Sequence, residues 1–255
     1  MSAMLDHVVS RVLALHVRLH ACRQRLRADT DSEALHDLRT SVRRLRSLLR
    51  PLRGLPGVQE LEDAARALGT LTTPLRDREV MGAELIERGH LSAGQRRLEG
   101  RAQTFASVAD SAPLTRTLSI LDAFPGFLRA ADREGVVSGL HRQVDERLRK
   151  QWRKLEKAVQ DPAHDRHRVR LLIKRVRYAE EAYPQLDHAG NALRRLLKQG
   201  QQDLGEWHDR VQWLLQVDQQ ADLAVLKADW QQELEAAQQR ADKTLMRLGK
   251  ALKKR

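Results

Sequence analysis

The spacing of apolar positions predicts an all-α protein. Along 35–49, the apolar residues Leu35, Leu38, Val42, Leu45 and Leu49 recur every three or four positions, which is the period of an amphipathic helix. Ala, Leu, Arg, Glu and Gln dominate the chain and β-branched runs are absent, so helices are favoured over strands. Gly and Pro set the expected boundaries. The predicted helices are 4–27, 33–50, 57–72, 76–88, 93–110, 138–160, 164–183, 187–204, 208–219 and 222–252, with a short helical piece within 114–134.

A polar pattern occurs twice in the chain, 131 residues apart. The pairs are His36 with His167, Arg39 with Arg170, Arg43 with Lys174, Arg44 with Arg175 and Arg46 with Arg177. Upstream, the same offset aligns Arg11 with Arg142 and Arg18 with Arg149. Downstream, an offset of 132 aligns Arg66 with Lys198 and Asp77 with Asp209. Such self-similarity predicts two copies of one helical module. We place them at 1–112 and 136–255, with a connecting segment at 113–135.

Each repeated helix carries a basic stripe beside its apolar one. At about 100° per residue, the side chains of His36, Arg39, Arg43 and Arg46 fall within an arc of about 80°. Residues 36–50 contain five Arg and one Asp, and residues 164–177 contain six Lys or Arg and one Asp. Like charges at this spacing repel by a few tenths of a kcal/mol each, so a solvated face explains two matched stripes poorly. A bound polyanion would relieve the repulsion.

The overall charge points to the same class of partner. The chain has 46 Lys and Arg against 34 Asp and Glu, a formal net charge of +12. Such a surplus indicates nucleic acid, an anionic membrane surface or a phosphate polymer as partner. The two stripes concentrate most of the surplus, and each extends over about 15 Å. They therefore favour a linear phosphate chain over a broad lipid sheet, and the planar fork of Arg binds phosphate oxygens in pairs.

Three motifs resemble the CHAD family, the conserved histidine α-helical domain. They are His36-x-x-Arg39-x-x-x-Arg43-Arg44-Leu45-Arg46, the end of its second copy Arg177-Tyr178-x-x-Glu181, and Leu204-Gly205-x-x-His208-Asp209. The resemblance extends over nearly the whole chain. It implies two similar four-helix bundles packed as one domain, with a basic groove or channel between them. It also implies a module that binds inorganic polyphosphate rather than an enzyme, and that targets or organises cytoplasmic polyphosphate granules.

The resemblance also implies the binding residues. The central set is His36, Arg39, Arg43, Arg44 and Arg46, with His167, Arg170, Lys174, Arg175 and Arg177. Arg18 and Arg149 join them, followed by Arg11 and Arg142, and Lys198 is a weaker candidate. The first copy departs from the family pattern, because no Gly matches Gly205, and Pro74 is expected to set a turn there. Asp77 and Asp209 are expected at helix starts as caps or first-turn acids, or else as braces for an Arg. Glu181 is expected to orient Arg177.

Other chemistry finds little support in the sequence. The pairs His16 with His20 and His164 with His167 lack further ligands for a metal site, so we expect no metal or cofactor, and divalent cations only as counter-ions of polyphosphate. Cys22 has no partner cysteine, which fits a reducing, cytoplasmic compartment. No apolar run approaches the roughly 18 residues of a membrane span, so we expect no membrane insertion. The four Trp residues are expected in the core.

Two other functions remain open. A nucleic-acid-binding helical protein would share the basic charge, although an aromatic content of 4% disfavours single-strand binding by base stacking. A phosphate or triphosphate hydrolase is a weaker alternative, since no glutamate cluster is present to hold catalytic metal ions. The sequence sets no oligomeric state.

Overall fold

The structure is all-α, which confirms the predicted fold class. The computed structural model describes residues 3–254, and every regular element in that range is a helix. The α-helices are α1 Ala3–Ala28, α2 Ala34–Leu49, α3 Val58–Glu87, α4 Leu91–Leu98, α5 Arg101–Ala109, α6 Ala112–Arg133, α7 Leu140–Gln160, α8 Arg166–Ala182, α9 Asn191–Val217 and α10 Lys227–Leu252. Two 3₁₀ segments lie at Arg50–Leu52 and Ala221–Leu226. No helix within 3–254 is both long and apolar enough to cross a bilayer.

The chain forms two compact units, which divide between Val144 and Asp145 inside α7. In the first unit, α1 packs against α2, α5 and α6, and α3 packs against α2, α4 and α6. The segment 113–135, expected to connect the repeats, belongs to this unit and lies largely within α6. In the second unit, α9 packs against α8 and α10, and α7 contributes Trp152 and Leu155 to their common core. The arrangement as two similar four-helix bundles stays a prediction.

The pattern of buried positions supports the repeat in the helices that carry its motifs. Every buried residue of α8, shifted by 131, falls on a buried residue of α2, so that for example Ile173 matches Val42. With an offset of 132, six of the seven buried positions of α9 fall on buried positions of α3, and Leu204 matches Thr72. Helices that bury matching positions present matching polar faces. The two basic stripes therefore face the same way relative to their own cores.

The upstream extension of the repeat is wrong in register. At an offset of 131, the buried Leu15 and Leu19 of α1 fall on the exposed Glu146 and Lys150 of α7. The connections to the next helix differ: Asp29 has a φ of 43° before α2, whereas the side chain of Asp165 caps α8 by accepting from His167 N. Different turns set the preceding helix at a different rotation. Arg11 with Arg142 and Arg18 with Arg149 are therefore not equivalent positions.

Two predicted breaks are absent, because α3 and α9 each run continuously where two helices were expected. Pro74 lies inside α3, where it removes one backbone hydrogen bond, and Gly205 lies inside α9. Packing on both sides of the break outweighs the local preference: α3 buries Leu68 before Pro74 and Met81 after it. Asp77 and Asp209 consequently lie within helices, and their assignment as caps or first-turn acids is wrong.

Two further boundaries differ from the prediction. The expected helix 93–110 is interrupted at Glu99 and Gly100, and Gly100 has a φ of 69°, which an L side chain rarely adopts. The short piece expected within 114–134 is instead the 22-residue helix α6. Ser111 caps α6 through its side chain, and Pro125 lies in its interior, where packing again overrides the local signal.

Candidate functional site

The first basic stripe, His36, Arg39, Arg43 and Arg46, runs along α2 on the side of α3. His36 is exposed in the first turn of the helix, and the three arginines are half-buried. Arg39 reaches α3 directly: its Nη1 donates to Gly69 O at 3.3 Å, Thr72 Oγ1 at 3.1 Å and Thr73 Oγ1 at 3.0 Å. These acceptors lie in the turn before Pro74. The proline that was expected to end a helix thus follows the turn that anchors a stripe arginine.

The charge of Arg39 is only partly compensated by its surroundings. Burial lowers the pKa of the guanidinium, Asp77 acts in the opposite sense, and Arg43 and Arg76 lower it further. Burial also raises the pKa of the Asp77 carboxyl, against the influence of Arg39. Asp77 therefore lies near enough to Arg39 to influence its pKa, and its role as a brace for a stripe arginine stays a prediction.

Arg46 lies one turn beyond Arg43 in a similar environment. Its Nε is buried without a hydrogen-bond partner, and burial lowers the pKa of its guanidinium, with Glu62 opposing this effect. Glu62 itself is bound by Arg53, which donates Nε–H to Oε2 at 2.6 Å and also contacts Oε1. That hydrogen bond lowers the pKa of the Glu62 carboxyl, so Glu62 is a carboxylate already shared with Arg53. The stripe therefore keeps a surplus of positive charge.

The second basic stripe, His167, Arg170, Lys174 and Arg177, runs along α8 on the side of α9. The rings of His167 and of His208 on α9 lie 5.1 Å apart between centroids. Burial lowers the pKa of His208 to about 4, and Arg170, His167 and Lys174 all act in the same direction. His208 is thus a neutral imidazole at neutral pH, close to the positive charges of Arg170 and Lys174. Such a ring can accept a proton once a nearby negative charge offsets those charges.

The far end of the second stripe is held by carboxylates. Arg177 Nη2 lies 3.0 Å from Glu181 Oε1, which confirms that Glu181 orients this guanidinium, and the Nε of Arg177 is buried without a hydrogen-bond partner. The neighbouring Glu180 is buried and accepts from Trp152 Nε1 at 3.0 Å. Burial raises the pKa of the Glu180 carboxyl, against the effect of the Trp152 donor and of Arg194.

The other predicted binding residues lie outside the two stripes. Arg44 and Arg175 are exposed and lie about 120° around their helices from the stripe centres. On the α1 side of α2, Arg25 binds Asp37 at 2.6 Å. Because α1 and α2 are antiparallel, Arg18 on α1 and Arg44 on α2, each two turns from the Arg25–Asp37 pair, lie opposite each other. Arg18 and Arg44 therefore flank the solvent face of α2 on the side away from α3.

The remaining candidates lie on three different helices, α1, α7 and α9. Arg149 is exposed and is bound by Asp145, its Nε lying 2.8 Å from Oδ2. Arg11, Arg142 and Lys198 are exposed on α1, α7 and α9, and their part in binding stays a prediction. Of the predicted set, the α2 and α8 stripes are the residues that the structure brings into continuous rows.

Two residues outside the predicted set lie at the stripes. His208 contacts His167, and its counterpart at an offset of 132, Arg76, lies close enough to Arg39 to affect its pKa. Arg76 pairs with Glu79 at 3.1 Å. The sequence contained the signal, since both residues precede the matched acids Asp77 and Asp209 by one position. Because breaks were predicted in α3 and α9, Arg76 and His208 were not placed beside the stripes.

Comparison with known proteins supports the resemblance inferred from the motifs. The family model for the CHAD domain matches residues 11–218. Among solved structures, the crystal structure of the CHAD domain from the plant Ricinus communis is similar, with a TM-score of 0.71 and 23% sequence identity. The alignment covers 98% of this chain and 92% of that one, and at this identity it shows a shared fold. No curated protein matches the chain.

Proposed function

Because this chain belongs to the CHAD domain family, we propose that it binds inorganic polyphosphate through the two basic stripes. The observation that carries the proposal is the state of the stripe arginines. They are held half-buried beside other cations at repeat-equivalent positions, and burial lowers the pKa of Arg39 and of Arg46. A cluster of partly desolvated like charges is unfavourable by itself. A polyanion lying along the stripe offsets that cost.

The chemistry of the stripes fits phosphate better than other anions. Guanidinium groups donate in pairs to phosphate oxygens, and each stripe spaces its cations along about 15 Å of helix. A single orthophosphate would engage only one or two of these cations, whereas a chain of phosphates engages the whole row. The proposed role is that of a binding module without a catalytic step, one that targets the protein to polyphosphate granules in the cytoplasm or organises them.

The direct test is a filter-binding titration with long-chain polyphosphate at physiological ionic strength. The informative variant combines Arg46→Gln and Arg177→Gln, because each guanidinium has a buried Nε without a hydrogen-bond partner. A charge-assisted hydrogen bond contributes roughly 1.5–3 kcal/mol, so the double variant should bind at least about 100-fold more weakly. The pair Arg39→Glu with Arg170→Glu should abolish binding.

The matched control is Arg116→Gln with Arg195→Gln, which removes the same charge from exposed positions outside the stripes. It should bind within a few-fold of wild type. Circular dichroism melts of each variant separate lost binding from lost fold. Wild-type affinity in both stripe variants would contradict the proposal.

Competition distinguishes the alternatives. Polyphosphate should displace single-stranded and duplex DNA, and both should weaken as salt rises, because counterion release drives any such binding. If DNA instead displaces polyphosphate at equal phosphate concentration, the nucleic-acid function is favoured. Release of orthophosphate in proportion to added protein would contradict the assignment as a binding module.

A further inference from the structure

The two basic stripes differ in charge at the position that follows their last arginine. One helical turn beyond Arg46 the chain has Arg50, whereas one turn beyond Arg177 it has Glu181. Arg50 keeps helical backbone angles and donates its N–H to Arg46 O, and Glu181 lies inside α8. At about 100° per residue, each falls in the middle of the arc that its stripe occupies. The same place in the two rows therefore carries opposite charge.

In the first unit, the cations continue beyond the stripe as a group that we call the arginine cluster: Arg46, Arg50, Arg53 and Arg66. They gather around the carboxylate of Glu62, which is only 2% exposed. The hydrogen bond from Arg53 lowers the pKa of this carboxyl, and Arg50 and Arg46 act in the same direction. Burial lowers the pKa of Arg46, and Arg66 and Arg53 lower it further. Such mutual effects arise between neighbouring charges, so α2, the turn after it and α3 bring the four guanidinium groups together.

The acids of this region leave the arginine cluster positively charged. Glu62 is bound by Arg53, and Asp63 is bound by Arg66. In the part of the chain that the structure describes, Arg46 takes part in no ion pair, and its Nε is buried without a hydrogen-bond partner. Four guanidinium groups against two carboxylates leave a surplus of two positive charges where the first stripe ends.

The end of the second stripe is surrounded by carboxylates instead. Arg177 Nη2 lies 3.0 Å from Glu181 Oε1 on its own helix. Arg194 of α9 lies 2.6 Å from Asp187 and 3.8 Å from Glu180. A phosphate group that approaches Arg177 therefore meets the negative charge of Glu181, which is fixed one turn away, and must compete with it for the guanidinium.

We propose that the first stripe is the tighter of two unequal polyphosphate subsites, because the phosphate chain continues past Arg46 over Arg50 to Arg53 and Arg66. The second subsite ends before Glu181 and holds the chain more weakly. The inference rests on the proposed function, since it takes polyphosphate as the ligand. It adds three arginines to the binding residues of the first unit, and it makes Glu181 a residue that limits binding in the second.

The first test compares two full-length variants that each keep one stripe. Arg170→Glu disables the second stripe and leaves the first, whereas Arg39→Glu disables the first and leaves the second. In filter-binding titrations with long-chain polyphosphate at physiological ionic strength, the protein that keeps the first stripe should bind at least about tenfold more tightly. Melting curves show whether each variant is folded.

The second test exchanges the residue that distinguishes the stripes. In the protein that keeps the first stripe, Arg50→Glu should weaken binding by about tenfold. Its control, Arg116→Glu on the exposed side of α6, makes the same change of charge outside the cluster and should change the affinity less than about threefold.

The converse exchange is made in the protein that keeps the second stripe. There, Glu181→Arg should tighten binding by about tenfold. Its control is Glu235→Arg on the exposed side of α10, which should change the affinity less than about threefold. Should a charge reversal unfold the protein, Arg50→Gln and Glu181→Gln replace it, and each should shift the affinity in the same direction by a smaller factor.

The outcomes separate this inference from the proposed function. If wild type does not bind polyphosphate, both are overturned. If wild type binds but the two single-stripe variants bind alike, or if the exchanges change the affinity no more than their controls, only the inference is overturned. Weaker binding in Glu181→Arg would show that Glu181 positions Arg177 for the ligand, which would also overturn it.

Discussion

His208 should take up a proton when polyphosphate binds to the second stripe. In the free protein its pKa is lowered to about 4 by burial and by the nearby Arg170, His167 and Lys174. A polyanion bound along α8 compensates those cations and lets the pKa of the imidazole rise toward its ordinary value. The complex then holds a proton that the free protein does not, so the affinity must rise as the pH falls.

The size of the effect follows from the two pKa values. If binding restores the pKa of His208 from about 4 to its ordinary value of about 6.5, linkage gives an affinity about 25-fold higher at pH 5 than at pH 7.5. Since part of the shift comes from burial, which the ligand does not remove, about 25-fold is the upper limit. The first stripe should lack this response at the matched position, where Arg76 keeps its charge.

The assay is the polyphosphate dissociation constant of wild type and of His208→Gln at pH 5 and pH 7.5. Glutamine keeps a polar side chain of similar size but cannot titrate, so the difference between the two proteins isolates His208 from other groups and from the ligand itself. Titration calorimetry in two buffers of different ionisation enthalpy counts the protons directly. His90→Gln, in the connection between α3 and α4, is the control. Equal pH dependence in wild type and His208→Gln would refute the reasoning.

Three further outcomes are expected. Without ligand, the lowered pKa means that the unfolded chain protonates His208 first, so wild type should lose stability relative to His208→Gln as the pH falls from about 6.5 to about 4, measured by thermal melts across that range. Gly94→Ala should destabilise by roughly 1–3 kcal/mol, because its Cβ would lie 2.5 Å from Ile86 Cγ1 and 2.7 Å from Gly82 O. By contrast, Gly69→Ala should stabilise α3 by up to about 1 kcal/mol, since its Cβ would meet nothing closer than 3.8 Å. Urea titrations measure the free energy of unfolding of both variants, and equal changes in Gly94→Ala and Gly69→Ala would contradict this expectation. Trp152→Phe should lower the free energy of unfolding by about 1–3 kcal/mol. The loss should be larger at pH 8 than at pH 5, because the Trp152 Nε1 donor, 3.0 Å from Glu180 Oε1, favours the ionised carboxylate. A loss of stability that does not depend on pH would show that packing alone is responsible.

The stripes are the part of the site that the sequence predicted best. An apolar row with a basic row beside it fixes which side of a helix is buried and which cations remain near its edge. That argument placed Arg39, Arg43 and Arg46 together, as the structure does. The same argument could not place Arg18 and Arg149. Their alignment assumed that the α1–α2 and α7–α8 connections give α1 and α7 the same rotation relative to the helix that follows.

Helix boundaries were predicted least well at Pro74 and Gly205. Local propensity disfavours both residues inside a helix by about 1–3 kcal/mol, and the sequence shows only this local cost. Packing against neighbouring helices supplies the opposing term: α3 buries Leu61, Ala65 and Leu68 before the proline and Met81 and Leu85 after it. A single-chain pattern does not show which neighbours will bury those residues.

By itself, the sequence determined the all-α class, the repeat of its central helices and the two stripes of positive charge. All three are properties of residue type at helical spacing, and they need no knowledge of neighbouring elements. The tertiary structure decided which groups surround each charge: the Thr72 and Thr73 acceptors of Arg39, the carboxylate of Asp77 near that arginine, and His208 against His167. Those contacts join residues more than thirty positions apart, and burial and local charge, which set the pKa of each group, arise only when the helices pack.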